Sequence, residues 1–317
     1  MIEKPNNAAE TASNAGEKRV LVVINPVAGG GRSLSLLPGL IKTLSESGHV
    51  CTVVTTTGRG SASDYVKKLG RGSDTVVCAG GDGTANEVIS GLMQIDEAHR
   101  PKFGYIPCGS TNDFAVALGI PKKPRENIAT IIRGSSVPID VGSFNGRYFA
   151  SVCAFGAFTN VSFSTSQTAK NLFGMLAYLA KGMELLRELR PIRARFVING
   201  EQIEDDFCFC AISNSRVLGG VLRIKDELVE LNDGLFEIIL IRYAEDALGF
   251  SKIIAAIANG GLECEHIRVF HANTVEVTMA DDEPVDFSLD GECEKGVRSA
   301  RIVNIRSGIR IITDGEK

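Results

Sequence analysis

Three glycine-rich turns constrain this chain more than any other feature. NPVAGGG (25–31), GGDGT (80–84) and PCGSTND (107–113) each follow a short apolar run and lead into a stretch with helical spacing. The runs before them are KRVLVVIN (18–25), DTVVCAG (74–80) and FGYIP (103–107), and HVCTVVTTT (49–57) is a fourth, β-branched run. Helices are expected over 34–47, 61–69, 85–93 and 112–118, the last stopped by Gly119 and Pro121. Strands alternating with helices imply βαβ units and a parallel sheet covered on both faces. Ligands of such sheets bind beyond the carboxyl ends of the strands. All three turns lie on that edge.

After about Asp140 the pattern changes. SFNGRYFASVCAFGAF, RARFVING, QIEDDFCFCAISN, GLFEIILIRY, IRVFHA, TVEVTMA, PVDFSLDGE and ARIVNIR are strand-like and separated by turns. Helices are few there, one near 168–189 and one near 246–259. An antiparallel β-sandwich fits this pattern. The expected organisation is a polar, disordered tail (1–17), an α/β domain (18–140) and a mainly antiparallel β-sandwich (141–317), its last strand free to return to the first domain. Cys208 and Cys210 alternate within an apolar run, which predicts that they share one face of a strand.

Several function classes are excluded or disfavoured early. With 34 basic against 38 acidic residues and a net charge of −4, non-specific nucleic-acid binding has little support. The eight cysteines lack a CxxC pair or a disulfide spacing, so reduced thiols in a cytoplasmic protein are expected. The first 17 residues lack the apolar region of a secretory signal. Lys170, Lys181, Glu184 and Arg187 argue against a membrane span in the 168–189 helix, and its apolar face reads as core. His49, His99, His266 and His271 form no ligand-like cluster, and no GxSxG elbow occurs. The basic cluster Lys122, Lys123 and Arg125 and the run 187–195 read as solvated surface.

GGDGT has no lysine, and its one charged group is negative. Gly80 and Gly81 allow the backbone to approach a ligand closely. Thr84 and Glu87 have the spacing of a capping box, which predicts a helix starting at Ala85 with its free N–H groups aimed at the ligand. Asp82 would repel a bare phosphate, but a carboxylate suits a phosphate-bound Mg2+. A magnesium nucleotide therefore fits the loop. In the third turn Ser110 and Thr111 offer hydroxyls and Asp113 a second carboxylate.

Taken in order, these motifs resemble the diacylglycerol kinase catalytic-domain family, which includes bacterial lipid kinases and relatives of the sphingosine kinases. The matching residues are Asn25-Pro26 with Gly29 to Gly31, Gly80 to Glu87, Gly109 to Ala115, Asp140-Val141-Gly142, Asn232 to Leu235 and Leu289 to Glu292. The resemblance implies an NAD-kinase-like first domain, a β-sandwich second domain and ATP held in the cleft between them. It assigns Asn25, Pro26, Val27, Ala28, Gly29, Thr56, Gly80, Gly81, Asp82, Gly83, Thr84, Ala85, Asn86 and Ser110 to the ATP site. It implies an acidic network of Asp82, Asp113 and Asp140 around the active-site Mg2+, and a structural Mg2+ at Asp233, the Leu235 carbonyl and Glu230. Ser110 stands where the family pattern has threonine, and keeps the hydroxyl.

The reaction so implied is phosphoryl transfer from ATP to a lipid hydroxyl, most simply diacylglycerol giving phosphatidic acid. By the same resemblance Asp82 is catalytic and either Asp290 or Glu292 is the base; spacing alone does not choose. A kinase for a soluble acceptor such as NAD rests on GGDGT alone, and a catalytically silent nucleotide- or lipid-binding regulator is the third reading. By the same resemblance a lipid kinase of this kind is expected in the cytoplasm, visiting the membrane surface for its substrate, with a homodimer as a further expectation from relatives.

Overall fold

The structure is a computed structural model that describes residues 17–156, 190–214, 217–218, 222–223, 231–258, 262–280 and 283–314. The helix expected near 168–189, Glu230 and all of the expected tail but Glu17 lie outside these residues.

Strands β1 (Lys18–Ile24), β2 (His49–Thr55), β3 (Thr75–Gly80) and β4 (Lys102–Pro107) form a parallel sheet in the order β4-β3-β1-β2. From Val20 on, β1 is buried on both faces, as expected of a central parallel strand. Helices α1 (Arg32–Glu46), α2 (Ser61–Leu69), α3 (Asp82–Leu92), α4 (Asp113–Ala117) and α5 (Pro124–Arg133) connect and cover these strands. Leu40 and Leu44 of α1 pack with Val22 and Ile24 on one face, and Val88 and Leu92 of α3 with Leu21 and Val23 on the other. Each such side chain, fully buried, contributes about 1.5–3 kcal/mol.

The second half contains β5 (Ser136–Phe144), β6 (Arg147–Phe149), β7 (Val152–Gly156), β8 (Ile192–Ile198), β9 (Glu201–Ser213) and the short pair β10 (Val217–Leu218) and β11 (Leu222–Arg223). It continues through β12 (Phe236–Arg242), α6 (Ala247–Ala258), β13 (Ile267–Ala272), β14 (Thr274–Met279), β15 (Val285–Leu289), β16 (Glu292–Val297) and β17 (Ser299–Ile312). Apart from the β17–β4 contact, its pairings are antiparallel, and the strands form a β-sandwich. Its core is rich in phenylalanine: Phe155 lies between Phe196 and Phe287, with ring centroids 6.2 and 4.9 Å away.

The two halves share one sheet through β17, which pairs with β14 and β5 and then, at Ile311, runs parallel to β4 beside Phe103. The β5–β17 register shifts between Ile305 and Ile309, and there the Ser307 N–H donates to Asp140.

Cys208 and Cys210 do not share a face. Ile241 of β12 stands opposite Phe209 and Arg242 opposite Phe207, so β9 carries one extra residue at Cys208. Cys210 therefore enters the phenylalanine core while Cys208 packs beneath α6 with Ile239 and Ile253. All eight cysteines are free thiols. Among the described residues no helix is long and apolar enough to cross a membrane.

Candidate active site

The three glycine turns are fitted to one another. Gly29 has a φ of 60°, and a Cβ there would stand 2.2 Å from the Cys108 carbonyl oxygen. A Cβ on Gly109 would stand 2.8 Å from the Cα of Gly81. Only glycine allows the loops this contact. Arg32 reinforces it, its guanidinium donating to the carbonyls of Gly29, Cys108 and Gly109. Asn25 joins the first loop to the second by donating to the Thr84 hydroxyl at 3.0 Å. Val27, 77% exposed, stands at the open edge with Ala28 and Pro26 beside it. Thr56 follows β2 and donates its N–H to the Ile24 carbonyl, and Ser110 is exposed on the third loop.

The capping box is absent. Helix α3 begins at Asp82, three residues early, because the extended Gly81 admits an N-terminus directly after β3. Thr84 is buried inside the first turn, and Ala85 is buried beside it. Glu87 caps a different helix: its carboxylate accepts from the N–H groups of Gly60 and Ala62 at the start of α2, at 2.7 and 3.1 Å. The first N–H groups of α3, at Asp82, Gly83 and Thr84, lack intrahelical acceptors and point beyond the sheet edge.

Asp82 faces α4. Its carboxylate accepts from the Thr111 hydroxyl at 3.1 Å and from the N–H groups of Asp113 and Phe114 at 3.2 and 3.3 Å. Desolvation by the surrounding protein pushes the Asp113 carboxyl up, and the Asp82 charge pushes it further. Two carboxylates thus sit together with no ion pair to either among the described residues. These are hard oxygen donors with uncompensated charge, and they fit Mg2+.

Asp140 keeps different company. It is fully buried in β5, and its two oxygens accept from the N–H groups of Gly234 and Ser307, each at 2.7 Å. Burial raises its carboxyl, these bonds lower it, and the charge that raises it further is that of Asp233. Asp140 therefore anchors the 232–235 turn and the bend of β17. Asp233 accepts from the Leu235 N–H, and the Leu235 carbonyl accepts from Asn304. Around this turn four buried oxygens lack a donor among the described residues: Asn214 Oδ1, both oxygens of Glu237, and Asn304 Oδ1. An uncompensated oxygen set beside a carboxylate is the donor chemistry of a hard cation, so this turn also fits Mg2+. The compact group of three acidic, histidine or cysteine side chains that a preformed site would show is absent among the described residues.

Asp290 and Glu292 separate in role. Asp290-Gly291 forms a two-residue turn joining β15 to β16, with φ of 49° and 86°. This is the primed geometry that fits a hairpin's twist. Asp290 accepts from the N–H groups of Ala150, Ser151 and Val152 at 2.6, 2.9 and 2.8 Å, and from the Asn86 amide at 2.6 Å. Burial pushes its carboxyl up and these four donors pull it back. A carboxylate so saturated has no free lone pair aimed at a substrate. Glu292 differs. Its Oε2 accepts from Arg59 at 2.9 Å and from Arg147 at 3.2 Å. Its Oε1 lies toward the glycine loop, 4.0 Å from where a Cβ of Gly83 would stand.

Sequence reasoning missed Arg32, Arg59 and Arg147. Nothing in GGGR, GRG or NGR marks them, since the contacts that bring them to the site, to Cys108 and Glu292, span 76 to 233 residues. It placed Asn86 on the nucleotide, whereas the structure places it on Asp290.

Residues 19–144 match the family model described as the diacylglycerol kinase catalytic domain, and residues 151–309 match the YegS C-terminal NAD kinase β-sandwich-like domain. The chain is 32% identical to a diacylglycerol kinase of Bacillus subtilis (strain 168) over 302 residues, 95% of this chain and 98% of that protein. It is 30% identical to a diacylglycerol kinase of Staphylococcus carnosus (strain TM300), covering 93% of this chain and 95% of that one. The crystal structure of a diacylglycerol kinase from Bacillus anthracis str. Sterne superposes with a TM-score of 0.71 at 21% identity, over 94% of this chain and 97% of that one. At that identity the superposition speaks for the fold.

Proposed function

This chain belongs to the diacylglycerol kinase catalytic-domain family, and from that premise we propose that it transfers the terminal phosphoryl group of ATP to the hydroxyl of diacylglycerol. Membership makes it a lipid kinase; the donor, the acceptor and the residues below are our reading. Residues 18–140 serve as the donor half and residues 141–317 as the acceptor half.

The phosphates rest on the N–H groups of Asp82 to Thr84 at the positive end of α3. Asn25 to Gly29 form the neighbouring wall, with Val27 offering apolar surface to the base. Asp82 and Asp113 would hold Mg2+, which when bound neutralises the phosphate charge. Glu292 is the base: Oε1 accepts the acceptor's hydroxyl proton as that oxygen bonds to the γ-phosphorus. The bond from the γ-phosphorus to the β,γ-bridging oxygen breaks, and ADP leaves. The observation that carries this reading is Glu292 Oε1, which faces Gly83 and takes no hydrogen bond among the described residues, beside a fully occupied Asp290. Because the acceptor is a lipid, the enzyme meets it at a membrane surface.

The test uses labelled ATP, Mg2+ and a panel of lipids in mixed micelles, with NAD as a soluble acceptor. Label is expected in diacylglycerol and is expected to be lost in Glu292→Gln, while Asp290→Asn loses activity only in proportion to folded protein. Label in NAD alone, or an active Glu292→Gln, overturns the reading.

A further inference from the structure

Glu292 is joined to the donor half by an ion pair with Arg59, 233 residues earlier. Arg59 lies on the loop before α2. That loop is tied to α3 by Glu87, which takes the N–H groups of Gly60 and Ala62. The element that carries the phosphate-facing N–H groups thus also fixes the place from which Arg59 reaches. Arg147 approaches the same Oε2 from the acceptor half, leaving the Asn145-Gly146 turn of the β5–β6 hairpin, and also pairs with Glu294. Both guanidinium groups meet one oxygen. The other is left toward Gly83.

We propose that Arg59 is a positioning residue for Glu292: by holding Oε2 from the donor half, it orients Oε1 toward the phosphoryl-transfer position and makes the base's orientation depend on the glycine loop. The proposal rests on the reading of Glu292 as base. Arg59 is 70% exposed and Glu292 26% exposed, so their pair contributes little to stability. Its effect lies in orientation and in the charge it sets beside Glu292. The charged groups around that carboxylate are Arg59 and Arg147 directly, Glu294 and Glu87 through the arginines, and Asp82 next to Gly83. Arg59 itself is held more firmly protonated, chiefly by its bond to Glu292 and then by that group's charge.

The experiment measures kcat, the KM for ATP and the melting temperature for wild type, Arg59→Ala, Arg59→Lys and Glu292→Gln. Arg59→Ala is expected to lose roughly 10- to 100-fold in kcat, the range over which a base is mis-set. Its KM for ATP and melting temperature should stay near wild type, the split expected of a group that orients the base without binding nucleotide or holding the fold. Arg59→Lys, with charge but no fork, should recover part of the loss. An unchanged kcat in Arg59→Ala, or a loss matched by a lower melting temperature, with Glu292→Gln inactive, overturns the positioning role and leaves the base reading standing. An active Glu292→Gln removes the base reading, and the proposal with it.

Discussion

Asn86 donates a 2.6 Å hydrogen bond to Asp290 across 204 residues of sequence, joining the helix of the second glycine turn to the hairpin that carries Glu292. With the N–H groups of Ala150, Ser151 and Val152 it completes a four-donor cradle, and Asp290 holds a left-handed backbone within it. Removing the carboxylate strands three backbone donors. Asp290→Ala should therefore destabilise the protein by about 3–5 kcal/mol, and Asn86→Ala by about 1–2 kcal/mol. Asparagine tolerates the left-handed turn, so Asp290→Asn should fall between them. Chemical denaturation of the three variants checks the order.

Glu237 predicts a pH dependence. It is buried without a hydrogen-bond donor among the described residues, and burial pushes its carboxyl up to about 8, with Asp233 and Asp140 adding in the same direction. The folded state therefore holds this proton to higher pH than the unfolded chain does. Below about pH 4.5 the group costs nothing; its penalty grows as pH rises toward 8 and then levels off, at a few kcal/mol. Without added Mg2+, the melting temperature of wild type should fall relative to Glu237→Gln across that window. Parallel curves for the two proteins would sink the idea.

Cation binding at the 232–235 turn predicts the opposite balance. Mg2+ near Asp233 should offset the charge on Glu237, so chelation at pH 8 should lower the melting temperature of wild type by about 3 °C or more, on the scale expected for a ligand held well above its Kd. Asp233→Asn should show a smaller chelator shift than wild type, the remainder belonging to Asp82 and Asp113. Calorimetry with Mg2+ as the only titrant reads the same site without relying on activity.

Gly29 predicts a nucleotide defect. A Cβ at its φ of 60° would run into the Cys108 carbonyl and the Arg32 side chain. Gly29→Ala should cost about 1–3 kcal/mol of stability and force the first loop off the third. We expect the KM for ATP to rise at least tenfold by roughly that energy, with a smaller change in kcat. Gly30→Ala is the matched control: it shares the positive φ, at 67°, but its Cβ meets nothing within 4 Å.

The parallel strands were legible because each is a short apolar run ending at a glycine turn, and both features are local. The cap of α3 was misread for the same reason. Thr84 and Glu87 have the spacing of a box, but Gly80-Gly81 let the helix start at Asp82, and the acceptor capacity of Glu87 went to Gly60 and Ala62. Cys208 and Cys210 were misassigned because one extra residue in a strand reverses a face, and a bulge is decided by the partner strand. The choice between Asp290 and Glu292 was closed to sequence. It depends on three N–H groups from 150–152, placed beside Asp290 by the pairing of β7 with β15 across some 140 residues of sequence.

Strand β17 has a consequence for how the chain comes into being. It contacts β4 and β5, made some 160 to 200 residues earlier, and Arg133 then pairs with Asp314 just beyond it. As the polypeptide leaves the ribosome, the donor half emerges with one flank of its sheet still open, and waits for a strand synthesised after nearly all of the acceptor half. A nascent chain halted before residue 299 should be a client for chaperones and proteases, and neither half should be obtainable by simple truncation.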